Sequence, residues 1–336
     1  MKKLLKIFGV IIVICLIAIL TIKLCFTFNK GAVSPVAIED IKSVQIINLD
    51  RSTNRREGYE KKLKNAYGDE FLGQKIGDAI RLSGTDGVKD LVIIELDDQG
   101  NEVKNVDIAK LKAKEIALKN GVNYKVFDKN YPDFVYKYRF DPENIIVDKK
   151  VRHRRHLTVG EFGCMLSHLR AIRNVADNNN GDIGMILEDD FYIPDDFYDN
   201  LKKVLQQAPS NFGIIKLDSA KGGGKDHFSK NSHKDSFLFS DLTYGYNKYF
   251  YNNKSEIFRG VAGTSGYIIT KEFAKKIVKL FETETINGFE GCSDILLFMV
   301  LPKKYNIENI WIVKKPVLWQ NGEISEIARI NYDNRL

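Results

Sequence analysis

Ile183-Gly184-Met185-Ile186-Leu187-Glu188-Asp189-Asp190 passes from apolar to acidic within one residue. Five uncharged positions followed at once by three carboxylates read as a short buried strand that delivers acids at its end. Residues i and i+2 of an extended chain point to one side, so Glu188 and Asp190 share a face. Outward from this stretch the chain alternates. Ser43 to Leu49 is rich in β-branched residues and reads as a strand ending at Asn48-Leu49-Asp50-Arg51. Ser52-Thr53-Asn54 offers capping chemistry for a charged helix from Arg55 to Lys64. Ile80 to Gly87 is a second strand running into the turn Thr85-Asp86-Gly87, and Gly160 to Ala176 is a helix just upstream of Ile183. Downstream come a strand at Phe212 to Leu217, a strand at Val261 to Thr270 and a helix at Lys271 to Glu282. A helix starting near Ile295 is capped by Ser293-Asp294, and short strands follow at Ile310 to Val313 and Val317 to Trp319. Strands alternating with helices predict an α/β fold with a mainly parallel sheet, whose ligands bind at the carboxyl ends of the strands.

Two regions stand apart. Residues 88–150 are expected to form an insertion or lid-like segment, helical at Asp107 to Lys119 and without clear period in the aromatic-rich Tyr124 to Phe140. At the other extreme, Ile7 to Ile22 carries no charge, and Leu24 to Phe28 extends the apolar run past Lys23. A bilayer span needs about 20 apolar residues, and a terminal Lys can snorkel to the interface. A secretory signal peptide shares the charged start and apolar middle, but no small-x-small cleavage site follows promptly. The expectation is a single-pass membrane protein: residues 1–30 the anchor, 31–42 a linker and 43–336 the catalytic domain. Lys2, Lys3 and Lys6 favour a cytosolic N-terminus. The side facing the active domain stays open between a Golgi lumen and the cytoplasmic face of an inner membrane.

The 336 residues are 44% hydrophobic and carry a net charge of +7. The densest basic cluster is Lys149, Lys150, Arg152, Arg154 and Arg155 with His153 and His156 between them. It suits phosphates, anionic headgroups or an acidic glycan, and equally a solvated loop. No zinc-knuckle, RNP or helix-turn-helix pattern lies beside it, so nucleic acid is not an expected partner. The four cysteines form no C-x-x-C pair, which argues against a structural zinc site. Cys164 and Cys292 read as two buried thiols or as one disulfide, the former preferred.

Glu188, Asp189 and Asp190 suit a hard divalent cation, Mn²⁺ or Mg²⁺, shared with phosphate oxygens. An isolated acidic triplet is also a common solvated turn. A metal-dependent hydrolase would need further His ligands, and none of the five His falls in an H-x-H or H-E-x-x-H pattern. A carbohydrate-binding protein on a decayed enzyme fold is the other alternative, against which the intact acids argue.

The block Leu157-Thr158-Val159-Gly160-Glu161-Phe162-Gly163-Cys164-Met165-Leu166-Ser167-His168 resembles the "L-T-x-G-E-x-G-C-x-x-S-H" signature of glycosyltransferase family 25. The flanking motifs are similar to that family in the same order. They are Ile47-Asn48-Leu49-Asp50-Arg51 with Arg55-Arg56, Asp86-Gly87, Leu187-Glu188-Asp189-Asp190 and Ile214 to Leu217. Gly263-Thr264-Ser265-Gly266-Tyr267-Ile268-Ile269, Asp294 to Leu297, and Pro316 with Gln320 complete the series. The resemblance implies a GT-A fold, a Rossmann-like nucleotide-sugar-binding sandwich. It also implies an inverting hexosyltransferase that uses a UDP-sugar such as UDP-galactose or UDP-glucose and a glycan, lipopolysaccharide or glycoprotein acceptor. Asn48, Leu49, Asp50, Arg51 and Arg55 would hold the nucleotide, with Lys216 and Gln320 also on the donor side. Glu161 and His168, seven apart on one helical face, would line the donor pocket. Gly263 and Thr264 would shape the acceptor side, and Glu188, Asp189 and Asp190 would hold the metal. Asp294 would be the base, with Glu290 and Glu161 as alternates. Each has a structural reading beside it. Asp294 is equally a helix cap, and His168 a core histidine satisfied by a neighbouring acid.

Overall fold

The computed structural model describes residues 36–108, 118–139, 141, 157–209, 211–219, 239–241, 263–287, 293–305, 307–313 and 316–320. Its centre is the stretch that opens the sequence reading. Strand β1 (Ile41–Asn48) is followed by helix α1 (Thr53–Tyr67) and strand β2 (Arg81–Ser83). Strands β3 (Leu91–Leu96), β4 (Glu102–Asn105), β5 (Asn123–Asp128) and β6 (Tyr131–Arg139) precede helix α2 (Val159–Asp177). Strand β7 (Ile183–Glu188), the short β8 (Phe191–Tyr192), helix α3 (Phe197–Gln207), β9 (Ile214–Lys216), β10 (Asp218–Ser219) and β11 (Phe239–Asp241) come next. The order ends with β12 (Gly266–Thr270), α4 (Lys271–Thr283), β13 (Thr285–Asn287), a helical run over residues 293–304, β14 (Ile310–Val313) and β15 (Leu318–Gln320).

The main sheet runs β11-β14-β9-β12-β7-β1-β2. β2, β1 and β7 are mutually parallel, and β9 and β14 are parallel to each other. β12 is antiparallel to both β7 and β9, and β11 to β14. Five of the seven strands therefore point one way, a mostly parallel α/β sheet consistent with a Rossmann-like arrangement. β7 is an interior strand of this sheet because it can be: its first five residues are all buried, with no polar side chain to exclude them from the core.

Helix α2 is buried on nearly every side, as befits a helix packed between two layers. One layer is the main sheet, tied to it by the Gln45 side-chain amide donating to the Ala171 carbonyl at 2.9 Å. The other is a second sheet, ordered β13-β6-β5-β3-β4. The Tyr138 ring meets Phe162 edge-on at 4.8 Å, and Tyr136 reaches both Phe162 and Phe281. Rings of this size each bury enough apolar surface to stabilise the packing by about 1.5–3 kcal/mol.

The region 88–150 thus contains strands where the sequence showed no period. Burial alternates through β5, with Tyr124, Val126 and Asp128 turned inward. The aromatic residues obscured that alternation, since Phe127 on the other face is apolar too. Most of the expected helix at Asp107 to Lys119, the basic cluster at residues 149–156 and the anchor at residues 1–30 lie outside the described residues. Among the described residues no helix is long and apolar enough to cross a membrane.

Candidate active site

Parallel neighbours end on the same edge of a sheet. Ile47 stands opposite Glu188 in the β1–β7 register, and Asn48 opposite Ser83 in β1–β2. The segments beyond these strands, Leu49 to Arg51, Thr85 to Gly87 and Asp189-Asp190, therefore emerge side by side. β12 runs the opposite way, so its preceding residues Gly263, Thr264 and Ser265 arrive at the same edge. A cleft opens here. Leu49, Arg51 and Arg55 form one side, Thr85, Gly87 and Gly160 another, and Cys164, His168 and Glu188 to Asp190 the floor.

Two glycines let the helix and a loop meet at this edge. A Cβ on Gly163 would lie 2.5 Å from the Thr85 carbonyl oxygen, and one on Gly87 only 1.9 Å from that of Val159. The turn Asp86-Gly87 and the start of α2 are in backbone contact, which only glycine permits at this spacing. The Ser167 hydroxyl accepts from the Thr85 N–H at 2.8 Å and locks the contact.

The three acids have three different environments. Glu188 Oε1 accepts from the Thr264 hydroxyl and lies 3.1 Å from His168 Nε2. Burial acts to raise its pKa, but the His168 and Thr264 contacts and the Lys216 charge outweigh it and hold the carboxyl below its usual range. Asp189 accepts from Asn48 Nδ2 at 2.7 Å and from Arg55 at 2.8 Å. Burial still leaves it raised. Asp190 is 4% exposed, and its Oδ2 accepts from the Gln320 amide at 2.8 Å. Its Oδ1 is buried with no hydrogen-bond partner among the described residues. Burial, with Glu188 close by, pushes its pKa up to about 7. A buried carboxylate oxygen without a donor is costly unless a cation or ligand faces it. Of the triplet, Asp190 is the carboxylate least compensated by the described residues, and Asp189 the one already paired with a cationic side chain.

The other expected residues divide. Asn48 is buried and spans the strand ends, donating to Asp189 and accepting from Arg81. Arg51 pairs with Asp86, whose carboxyl is held below its usual range: burial opposes this, but Arg51 and the Val88 and Lys89 amides prevail. Asp50 is turned outward and bonded to Arg81 and Ser83; the Arg81 bond chiefly lowers its pKa. Glu161 is spent on a capping box. Its carboxylate accepts from the Thr158 N–H at 2.7 Å while the Thr158 hydroxyl caps its own N–H. By contrast, Ser52 makes no capping bond to α1. Lys216 is fully buried, its ammonium paired with Asp218, so it acts on the site through charge rather than contact.

Asp294 caps its helix only in part. It lies inside the first turn; Oδ1 accepts from the next residue's N–H at 2.8 Å, and Oδ2 from the Gly263 N–H at 2.9 Å. Gly263 has φ +88°, and the segment it starts is held again by Asp218 accepting from the Ser265 N–H. Two carboxylates thus fix the segment that aims Thr264 at Glu188. Glu290 lies outside the described residues.

The same ordered residues match the family model for glycosyltransferase family 25 (LPS biosynthesis protein) over residues 41–288. The chain belongs to glycosyltransferase family 25. No curated protein matches it. Membership makes the chain a glycosyltransferase, in a family of lipopolysaccharide biosynthesis. The match stops at residue 288, so Asp294 and Gln320, both expected from motif order in the sequence, lie outside it; the structure ties them to the cleft edge through Gly263 and Asp190. Asp218 and Cys164 are site residues that sequence reasoning passed over. The i, i+4 spacing of Cys164 and His168 was the available signal for the second.

Proposed function

We propose that this family 25 chain transfers a hexose, galactose or glucose, from a UDP-sugar to a glycan, lipopolysaccharide or glycoprotein acceptor on a GT-A framework, with inversion. The observation that carries the reading is Asp190: a buried carboxylate on the cleft floor with one oxygen unpartnered among the described residues, in a cleft also lined by Arg51 and Arg55. Mn²⁺ or Mg²⁺ would be held by Asp190, with Glu188 assisting, and would supply charge neutralisation for the leaving diphosphate. The residues of the chain do the rest. Arg51 and Arg55 draw the diphosphate into the cleft, and Leu49 and the β1 end support the nucleoside. Asp294, held by two backbone amides, adjoins Ser293, whose hydroxyl lies 3.4 Å from Cys164 Sγ at the cleft floor. In that position it takes the proton from the acceptor hydroxyl as the oxygen attacks the anomeric carbon. An anchor in the uncharged run Ile7 to Ile22 would keep the cleft beside a lipid-borne acceptor.

The test is a donor screen. UDP-galactose and UDP-glucose are incubated with the protein and lipopolysaccharide, with Mn²⁺ or excess chelator, and product anomers are read by NMR. The expected result is metal-dependent release of UDP with a product of inverted anomeric configuration. Full turnover in chelator, or a product retaining the donor configuration, would overturn it.

A further inference from the structure

Beneath the acids the cleft floor holds a second set of donors of different chemistry. Cys164 and His168 are one helical turn apart on α2, and Glu188 comes from the end of β7. One ligand atom from each, a sulfur, an imidazole nitrogen and a carboxylate oxygen, lies within 4.8 Å of the other two. We propose that Cys164, His168 and Glu188 form a binding site for Zn²⁺ or a cation of similar softness, separate in kind from the all-oxygen chemistry of Asp190.

Three observations support it besides the triangle. The first is ligand choice. Sulfur, nitrogen and oxygen together are a borderline-soft set that suits zinc and discriminates against Mg²⁺. The second is the outer support that metal-ligating side chains require. His168 Nδ1 is 3.0 Å from the Tyr267 hydroxyl. Without metal, Nε2–H donates to the Glu188 carboxylate; a cation would replace that proton, with Nδ1–H then donating to the Tyr267 oxygen and the Nε2 lone pair turned to the metal. Thr264 donates to Glu188, and Ser293 Oγ lies 3.4 Å from Cys164 Sγ, placed to donate to it. The third is access. All three residues line the cleft, so the fourth tetrahedral position faces it. Three protein ligands with one open position distinguish exchangeable zinc sites from closed structural ones. Metal–ligand lengths of about 2.0–2.3 Å require the triangle to close by about 1 Å, within reach of side-chain rotation. Because Glu188 is shared, zinc bound here also withdraws that carboxylate from the neighbouring acids.

The experiment uses cobalt as a spectroscopic substitute for zinc, on the full-length chain in detergent, and needs no turnover. Co²⁺ titration should give a sulfur-to-cobalt charge-transfer band with the intense visible bands of tetrahedral cobalt. One equivalent of Zn²⁺ should abolish them, and excess Mg²⁺ should not. Cys164→Ala should remove the charge-transfer band, Tyr267→Phe should weaken zinc binding about 10–100-fold, and Asp190→Asn should retain the band. Cys164→Ser, which keeps a hydroxyl beside Ser293, repeats the test if Cys164→Ala does not fold. Absence of the band in the wild-type chain overturns the proposal. So does a band that survives both Cys164 substitutions, because Cys15, Cys25 or Cys292 would then be the ligand. A band lost in Asp190→Asn overturns it too, since the cobalt would be sitting on that carboxylate.

Discussion

Replacing Asp190 by Asn removes a buried charge while keeping the shape and an oxygen that can accept from Gln320. In the folded chain this carboxyl holds its proton up to about pH 7, against an ordinary value of 3.8. Below 3.8 both folded and unfolded chains are protonated and the group contributes nothing. Between the two values the unfolded chain releases the proton and the folded chain retains it, so stability falls as pH rises. Above 7 the full penalty is present. At about 1.4 kcal/mol per decade the separation amounts to about 4 kcal/mol. Asn relieves both the desolvation and the repulsion from Glu188, but its buried amide N–H₂ carries a burial cost of its own, which leaves about 2–4 kcal/mol for this substitution. For a chain of this size about 2 °C of melting temperature accompanies each kcal/mol. In chelator at pH 8, Asp190→Asn should therefore melt about 4–8 °C above wild type, and the gap should close near pH 4. Excess Mn²⁺ should raise the wild-type melting point at pH 8 by binding the folded form, and leave the variant nearly unmoved. Thermal melts at the two pH values, with and without metal, decide the matter. A variant that melts at or below wild type in chelator at pH 8 would show that the ionised Asp190 is already compensated within the fold, and the cation assignment would lose its basis.

Asp294→Asn should lower turnover by about 10²–10⁴ with UDP binding retained, and cost about 1 kcal/mol for the one backbone bond an amide cannot accept. Turnover within about threefold of wild type would reduce Asp294 to a structural clamp on Gly263. Arg170→Ala should destabilise by about 3–5 kcal/mol in chemical denaturation, because it strands the buried Asp128 carboxylate, now bonded to Arg170 at 3.0 Å. A loss under about 1 kcal/mol would mean that the pair is solvated. Gly163→Ala should lower both melting temperature and UDP affinity, since its methyl meets the Thr85 carbonyl; unchanged melting and affinity would mean that the loop and helix yield freely.

The order of strands and helices, the carboxyl-end position of the acids and family membership were legible in the chain itself. Each rests on local periodicity or on motif order, which survive without coordinates. The cap at Thr158 and Glu161 is equally local, a matter of spacing three residues apart. The tertiary structure decided what each acid does. Glu188, Asp189 and Asp190 are consecutive, yet their partners come from residues 20 to 141 positions away, and a carboxylate's charge state is set by its partners and its burial. Only the fold shows that Arg55 pairs with Asp189 while one oxygen of Asp190 has no donor among the described residues. It also converted Lys216 from an expected donor contact into a buried counter-charge for Asp218. The strands of residues 91–139 escaped the sequence because their outward face packs aromatic and basic side chains, such as the Lys125 ammonium set 5.3 Å from the Phe127 ring. Period-two alternation vanishes where both faces of a strand have something apolar to cover.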